Sequence, residues 1–226
     1  MMPDTDGKYI AVVDYGMGNL FSIMNICRHV GMKAVKTSEK SVIEDSSAVI
    51  LPGVGAFEDA MRALKRLDLT GVLIDAANNG KPFLGICLGM QLLMSESEEF
   101  GINKGLNVIG GRVTKFPNFN DKNDKVRVPH IGWNRIFLAQ NSVAEDPVLC
   151  NIHDGELMYF VHSFFAVPQE ERSVITYTDY CGIRYCSGIR KDNLVAFQFH
   201  PEKSGPSGLR VFRNFKEIIY KENGNG

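Results

Sequence analysis

The stretch KPFLGICLGMQLLM, residues 81–94, decides the fold because it combines a buried strand, a sharp turn and a buried helix. Residues 83–86 form an apolar run of strand length, and apolar side chains recur at helical spacing from residue 88 to residue 94. Cys87 lies at the turn, with a glycine two residues away on each side. On this stretch alone, the thiol is either a nucleophile or a small core hydrophobe.

Cys87 has the surroundings that a catalytic thiol requires. The two glycines relieve the backbone crowding of a tight strand-to-helix turn. The unpaired N–H groups and the dipole at the start of the following helix favour a thiolate. The N–H of Leu88 is suited to binding an oxyanion. The segment therefore has the form of the G-x-S-x-G nucleophile elbow, with cysteine in place of serine.

Length and composition predict one domain, residues 1–226, with frayed tails at 1–7 and 221–226. The chain carries a formal net charge of -1, and 44% of its residues are hydrophobic. This charge gives no electrostatic reason to expect binding to nucleic acid or to an anionic membrane. We find neither an apolar run of membrane-spanning length nor a secretion signal, and we expect no membrane partner.

The five cysteines indicate a reducing compartment, and we expect the protein to be cytoplasmic. Their odd number and irregular spacing do not form a disulfide framework. Cys181 and Cys186 lack the second cysteine pair of a zinc site. We therefore expect no metal. The Gly16-x-Gly18 turn lacks the third glycine of a dinucleotide fingerprint, because residue 21 is Phe, and we expect no other cofactor.

Hydrophobic patterning predicts an α/β fold. Strands are predicted at 9–13, 33–36, 48–51 and 83–86, and helices at 20–30, at 56–79 with a break near residues 70–71, and after Cys87. This alternation favours a central, mostly parallel sheet flanked by helices. The second half contains short β-rich segments at 107–114, 126–128, 133–138, 157–165, 173–180, 182–190 and 194–199, a polar loop at 118–125 and a closing helix at 209–220. They predict an antiparallel extension of the sheet or a small second sheet.

The segment after residue 199 carries the second half of the chemistry. His200 and Glu202 are two residues apart at the end of a strand, so their side chains can converge. An imidazolium would stabilise a thiolate at Cys87 and later protonate a leaving amine, and a carboxylate would orient the imidazole. Taken alone this segment is a surface turn, but with Cys87 it predicts a catalytic triad.

A glycine-rich loop, Pro52-Gly53-Val54-Gly55, follows the strand at 48–51. Its backbone N–H groups can complete an oxyanion hole with that of Leu88. A simple strand–helix turn is the other interpretation.

Four stretches together resemble the class I (triad-type) glutamine amidotransferases. They are PGVG at 52–55, GICLGMQ at 85–91, YFVHS at 159–163 and FHPEKS at 199–204. Within that group, the segments DYGMGNL (14–20), PHIGWN (129–134) and HPEKS (200–204) are similar to the glutaminase subunits of imidazole glycerol phosphate synthases. The likeness extends from about residue 9 to residue 215.

The resemblance implies the class I glutamine amidotransferase fold and hydrolysis of glutamine through a γ-glutamyl thioester at Cys87. Ammonia would pass to a cyclase subunit with a (β/α)8 barrel, the partner in a heterodimer. That partner would make imidazole glycerol phosphate and an aminoimidazole carboxamide ribotide, in histidine biosynthesis.

The resemblance also implies roles for single residues. Gly53 and Val54 match the oxyanion loop. Glutamine-binding positions are matched by Gly55, Gln91, Glu99, Ser163 and Phe164, the last where a tyrosine is common. Positions that face the barrel are matched by Trp133, Tyr159 and Lys203. Without the resemblance, Trp133 and Tyr159 would be predicted as core residues, and Glu99 and Lys203 as solvated charges.

Three alternative functions remain open. Cysteine-elbow hydrolases and peptidase-like proteins share the fold but would lack Gln91 and the HPE turn. A non-catalytic binding subunit would keep the fold without needing Cys87, His200 and Glu202. A paralogous glutaminase that feeds ammonia to another acceptor, such as a sugar in surface polysaccharide synthesis, would have the same active-site residues.

Overall fold

A computed structural model describes residues 9–139 and 146–222. Its strands are β1 (Ile10–Val13), β2 (Ala34–Thr37), β3 (Ala48–Leu51), β4 (Phe83–Ile86), β5 (Met94–Ser97), β6 (Asn103–Lys104), β7 (Ile109–Lys115), β8 (His130–Arg135), β9 (Phe137–Leu138), β10 (Leu157–His162), β11 (Phe164–Pro168), β12 (Val174–Tyr180), β13 (Ile183–Lys191) and β14 (Leu194–Phe197). Its helices are α1 (Leu20–His29), α2 (Lys40–Asp45), α3 (Phe57–Arg66), α4 (Thr70–Asn78), α5 (Leu88–Leu92) and α6 (Gly205–Glu222).

An eight-stranded sheet runs through the molecule in the order β2-β1-β3-β4-β14-β13-β12-β9. The strands from β2 to β14 are parallel, and β13, β12 and β9 continue the sheet with antiparallel pairing. Two smaller sheets have the orders β10-β8 and β11-β7-β5-β6. The predicted α/β class is confirmed, and both the antiparallel extension and the additional sheet structure are present.

The central strands are short apolar runs because both faces of the sheet are covered. All four residues of β1, β3, β4 and β14 are buried, which is typical of parallel strands between two layers of helices. Alternate residues of β3 illustrate this, since Val49 belongs to the apolar cluster under α3 and α4, while Ile50 belongs to the cluster under α1 and α6. Covering one face only would expose half of each run to water.

The parallel strands bring four separate segments of the chain to one edge of the sheet. The segments that follow the carboxyl ends of β1, β3, β4 and β14 begin at residues 14, 52, 87 and 198. In open α/β sheets this edge is where ligands bind. The glycine-rich loop, the cysteine and the HPE segment therefore converge although they are far apart in the chain.

Several predicted elements differ from the structure. The helix after Cys87 ends at Leu92, and Met94 begins β5, because a short buried apolar run does not distinguish a helix from a strand. Helix α2 was not predicted, since Ile43 is its one buried residue and the apolar pattern is correspondingly weak. Residues 126–128 were predicted as a strand but are not in one.

Other boundaries follow the prediction closely. The break near residues 70–71 is confirmed, with α3 ending at Arg66 and α4 beginning at Thr70. The last helix starts earlier than predicted, at Gly205, and continues to Glu222 into the expected C-terminal tail. Residues 1–7 and 223–226 lie outside the described residues. Within the described part of the chain, no helix combines the length and apolarity needed to span a membrane.

Candidate active site

Cys87 joins β4 to α5 in a strained backbone conformation. Its φ of 53° lies in a region that residues other than glycine rarely adopt, at a cost on the order of 1–3 kcal/mol. Its N–H donates to the carbonyl oxygen of Phe197, 2.7 Å away on β14. A Cβ atom at position 89 would overlap the carbonyl oxygen of Leu51. The predicted need for a small residue beyond the cysteine therefore has a direct steric cause.

Helix α5 contains five residues, fewer than the sequence pattern predicts. Its dipole is correspondingly small, so it favours a thiolate less than a long helix would. The N–H of Leu88, at its first position, has no acceptor within the helix. That N–H remains available for an oxyanion.

His200 and Glu202 are brought together as predicted. His200 Nδ1 lies 2.8 Å from Glu202 Oε1, and the two side chains are 2% and 1% exposed. Because a carboxylate only accepts, Nδ1–H is the donor. His200 Nε2 has no hydrogen-bond partner among the described residues.

The charge on His200 depends on Cys87. Burial by itself would lower the pKa of His200, but the nearby Cys87 sulphur and Glu202 outweigh it and raise this pKa to about 10. His200 is therefore an imidazolium at neutral pH, held between a carboxylate and a sulphur. This arrangement can stabilise a thiolate and can donate a proton from Nε2.

A cavity of about 260 Å³ opens beside Cys87, with room for a molecule of amino-acid size. It is lined by Val54, Gly55, Cys87, Leu88, Gln91, Glu99, Pro129, Val161, His162, Ser163 and Phe164. Every predicted glutamine-binding residue is in this set. Gly53 does not line the cavity. It packs closely against Leu88, because a Cβ atom at position 53 would lie 2.9 Å from Leu88 Cβ.

Gln91 and Glu99 supply polar groups to the cavity wall. Gln91 Nε2 donates to the carbonyl oxygen of Phe164 at 2.8 Å and to Gln198 Oε1 at 3.0 Å. Both of its amide hydrogens are engaged, so Oε1 is the atom that can accept a hydrogen bond from a ligand. Glu99 Oε2 accepts from the N–H of Phe57 at 2.7 Å, at the start of α3. Glu99 thus lies in a turn and not on a solvated helix surface.

Two residues that hold this site were not singled out by the sequence analysis. Tyr15 donates from its hydroxyl to the carbonyl oxygen of Pro52 at 2.9 Å, which anchors the start of the glycine-rich loop. Burial raises the pKa of Tyr15, so the phenol stays protonated. Gln198 is fully buried and lies 3.6 Å from Cys87 Sγ through its Nε2. Its signal was a polar residue inside the apolar run LVAFQF.

One outward face of the β8–β10 pair carries five apolar residues beside the exposed Arg135, and we call these five residues the apolar ribbon face. It consists of Ile131, Trp133, Leu157, Tyr159 and Val161, with Tyr159 opposite Trp133 and Val161 opposite Ile131. Trp133 is 54% exposed and Ile131 is 59% exposed, so Trp133 is not a core residue. The rings of Trp133 and Tyr159 are in edge contact at 6.0 Å.

The apolar ribbon face is hydrogen-bonded to the HPE turn. The carbonyl oxygen of Tyr159 accepts from the N–H of His200 at 2.8 Å. The N–H of Tyr159 donates to Ser204 Oγ at 3.0 Å, which in turn donates to the carbonyl oxygen of His200 at 2.6 Å. Lys203 Nζ lies 5.8 Å from the centre of the Tyr159 ring. The three residues predicted to face a partner are therefore neighbours, beside His200.

Behind the ribbon, the hydroxyl of Tyr185 bridges two buried histidines. It lies 3.1 Å from His130 Nδ1 and 3.2 Å from His162 Nε2, and His162 Nδ1 lies 2.9 Å from the carbonyl oxygen of Phe164. Burial lowers the pKa of His130 to about 4 and that of His162 to about 3, so both are neutral. His162 is therefore a structural histidine that lines the cavity.

Comparison with known proteins identifies the group to which this site belongs. The family model described as glutamine amidotransferase class-I matches residues 11–218. The chain is 44% identical over 210 residues to the imidazole glycerol phosphate synthase subunit HisH of Geobacter sulfurreducens, covering 92% of this chain and 98% of the relative. It is 47% identical over 210 residues to the subunit of the same name from Methanothermobacter thermautotrophicus, covering 93% and 98%.

Solved structures share the fold at low sequence identity. PurLQS from Thermotoga maritima matches with a TM-score of 0.67 and 21% identity, covering 94% of this chain and 99% of that one. A glutamine amidotransferase from the same organism matches with a TM-score of 0.59 and 18% identity, covering 96% and 85%. These likenesses concern the fold, whereas the family follows from the sequence matches. The chain belongs to the class I glutamine amidotransferases and, within them, to the family of the imidazole glycerol phosphate synthase subunit HisH.

Proposed function

We propose that this chain is the glutaminase subunit of an imidazole glycerol phosphate synthase. It hydrolyses glutamine to glutamate and ammonia and delivers the ammonia to a cyclase subunit of histidine biosynthesis. The observation that carries the proposal is the position of Cys87, strained at the end of β4, beside an amino-acid-sized cavity and close enough to the buried His200–Glu202 pair to raise the pKa of His200. Relatives that carry the synthase subunit's name match over nearly their full length.

In the first half of the reaction, the Cys87 thiolate attacks the side-chain carboxamide carbon of glutamine. A C–S bond forms, and the carbonyl oxygen becomes an oxyanion that the N–H groups of Leu88 and the 53–54 segment stabilise. The C–N bond then breaks, and His200 gives its Nε2 proton to the leaving nitrogen, which departs as ammonia. A γ-glutamyl thioester remains on Cys87.

In the second half, His200 accepts a proton from water, which attacks the thioester carbonyl carbon. The C–S bond breaks, glutamate leaves, and the thiolate–imidazolium pair is restored. Glu202 keeps the ring oriented throughout, since its 2.8 Å hydrogen bond fixes Nδ1 as the protonated nitrogen. Each proton taken up by His200 is returned within one turnover.

The walls of the cavity suit the ends of glutamine. The carboxylate of Glu99 can pair with the α-ammonium group, and Gln91 Oε1 can accept a hydrogen bond from a substrate N–H. Backbone groups of Ser163 and Phe164, together with Gly55, complete the contacts. Because Phe164 would contribute through its backbone, a phenylalanine in place of tyrosine costs little.

The apolar ribbon face supports a role for a partner subunit. It borders the cavity, because Val161 belongs to both, and its exposed Trp133 and Ile131 form a patch of the kind that marks a protein interface. We propose that a (β/α)8-barrel cyclase docks here in a heterodimer and contacts Trp133, Tyr159 and Lys203. Docking at this face would act on His200 through the backbone hydrogen bonds of Tyr159.

A glutamine-analogue alkylator and a Cys87→Ser variant test the nucleophile. We expect the alkylator to label Cys87 and Cys87→Ser to lose glutaminase activity while remaining folded. Burial raises the pKa of Cys27 and Cys186 to about 12, so these thiols should be spared. Cys150→Ser, at an exposed thiol, is the matched control and should keep wild-type activity. Near wild-type hydrolysis by Cys87→Ser would contradict the proposal.

The acceptor of the ammonia is chosen by the partner, so the histidine pathway is distinguished from a paralogous one by the cyclase reaction. Glutamine-dependent formation of imidazole glycerol phosphate by this chain and a cyclase barrel supports the histidine pathway.

We further propose that the protein acts in the cytoplasm, since its five thiols are free and the proposed reaction needs a reduced cysteine.

A further inference from the structure

Gln198 lies between β14 and His200 and is completely buried. A buried carboxamide needs an acceptor for its N–H groups and a donor for its oxygen. Its two side-chain partners are Cys87 and Gln91. Gln198 therefore connects the proposed nucleophile to the wall of the cavity.

The orientation of the Gln198 amide follows from its neighbours. The carbonyl oxygen of Phe164 can only accept, so the group of Gln91 that lies 2.8 Å from it is the NH₂. The same NH₂ group lies 3.0 Å from the Gln198 side chain, which must present its oxygen there. The Gln198 NH₂ group consequently points at Cys87 Sγ, 3.6 Å away. The carbonyl oxygen of Phe164 thus fixes the orientation of both side-chain amides, first Gln91 and then Gln198.

We propose that Gln198 is a further catalytic residue, whose side-chain N–H donates to Cys87 Sγ and holds it as a thiolate, and that Gln91 positions it. In this role the neutral N–H of Gln198 stabilises the sulphur together with the positive charge of His200, which acts from its Nε2 side. This role also gives Gln91 a second task beside substrate binding, since its NH₂ group orients Gln198. The inference rests on the proposed role of Cys87 as nucleophile.

The donor acts on the states in which sulphur is negative. Before attack and after breakdown of the thioester, the sulphur is a thiolate and the N–H···S⁻ contact is charge-assisted. In the thioester the charge is gone and the contact weakens, so Gln198 favours Cys87 as the leaving group of the second step. A stabilised thiolate is a weaker nucleophile, but nucleophilicity falls only about half as fast as the thiol pKa. At pH values where the thiol is only partly ionised, the gain in thiolate fraction is therefore the larger effect.

Gln198→Met tests the proposal, because methionine keeps the unbranched shape and lacks the N–H. The readout is the rate of Cys87 carboxamidomethylation by iodoacetamide against pH, without glutamine, in the full chain, measured on the Cys87 peptide by mass spectrometry. A hydrogen bond to a charged group corresponds to roughly one pH unit or more, so the inflection should rise by about one unit. At pH values below the wild-type inflection, the glutaminase kcat/KM should fall by about threefold or more.

Two further variants separate this role from a structural one. Gln169→Met changes an exposed glutamine and should leave the alkylation profile and the activity unchanged. Gln91→Met does not touch the sulphur but removes the group that orients Gln198, so its profile should shift in the same direction by a smaller amount. This second shift is measured without substrate, so loss of glutamine binding does not contribute to it.

A folded Gln198→Met variant with an unchanged alkylation profile overturns the inference. If Gln198→Met does not fold, the alkylation profile of Gln91→Met decides in its place. A Gln91→Met profile identical to that of the wild type then contradicts the inference. Failure of the proposed function has a different signature, namely Cys87→Ser hydrolysing glutamine. An inactive Cys87→Ser together with an unshifted Gln198→Met overturns this inference alone.

Discussion

At the residue scale, the site concentrates opposing charges among buried side chains. His200 is an imidazolium because Cys87 and Glu202 together outweigh the cost of burying its charge. The strained φ of Cys87 is maintained by the close packing of its neighbours and by the hydrogen bond from its N–H to the carbonyl oxygen of Phe197. The three proposed catalytic side chains are therefore close together before glutamine binds, and the chemistry needs no large rearrangement of them.

We expect His200 and Glu202 to contribute unequally. In the proposed mechanism His200 transfers protons, so His200→Asn should lower kcat by at least ~10²-fold. Glu202→Gln should lower it less, because the glutamine oxygen can still accept from His200 Nδ1. The kcat of each variant, measured with the same partner, checks this ranking. Glu217→Gln, on the exposed side of α6, is the control and should match the wild type. A larger defect in Glu202→Gln than in His200→Asn would reverse the assignment.

At the element scale, the β8–β10 pair is supported from behind by a directional hydrogen-bond network. His162 Nδ1–H must donate to the carbonyl oxygen of Phe164, so its Nε2 accepts from Tyr185. The phenol oxygen then accepts from His130 Nδ1–H, and His130 Nε2 faces the Asn134 amide at 3.4 Å. Every member is satisfied only if both histidines are neutral, which agrees with their lowered pKa values.

Tyr185→Phe should destabilise the protein by about 1–3 kcal/mol, because it leaves a buried donor on His130 and a buried acceptor on His162 without partners. Urea unfolding measures the loss. Tyr177→Phe is the matched control: its hydroxyl bonds Glu171 at 3.3 Å at the surface, so its loss should be much smaller. Equal effects of the two substitutions would show that the buried network does not stabilise the fold.

The elements that the sequence predicted well are those with a long or uniform apolar pattern. The parallel strands, α1 and the break between α3 and α4 belong to this group. The missed elements β5, β6 and α2 are short and bury few side chains of their own. Their structure is decided by neighbours that are distant in the chain, such as β7 beside β5.

The candidate site was predictable where motifs bring chemistry and turn geometry together, as at Cys87 and the HPE segment. It was not predictable where a role depends on contact across the fold. Tyr15 reaches Pro52, and Gln198 reaches Cys87, over separations that local spacing does not encode. The exposure of Trp133 likewise depends on which face of the β8–β10 pair the rest of the molecule covers.

At the scale of the whole molecule, the sheet brings the cavity and the apolar ribbon face to adjoining positions. The cavity is lined by the segments after β3 and β4 and by residues 161–164, and Val161 joins it to the apolar ribbon face. The backbone of Tyr159 joins the same face to His200. Ammonia released into water near neutral pH would be mostly protonated and unable to act as a nucleophile. An enzyme built in this way benefits if its site is completed only when a partner covers that face.

The most direct test of the account is the kcat of glutamine hydrolysis by the purified chain, measured alone and then with the cyclase barrel and its nucleotide ligand. We predict very low activity for the chain alone and an increase of at least ~10²-fold in the complex, about the contribution of one oxyanion-hole donor. The same kcat with and without the partner would contradict a site that depends on docking.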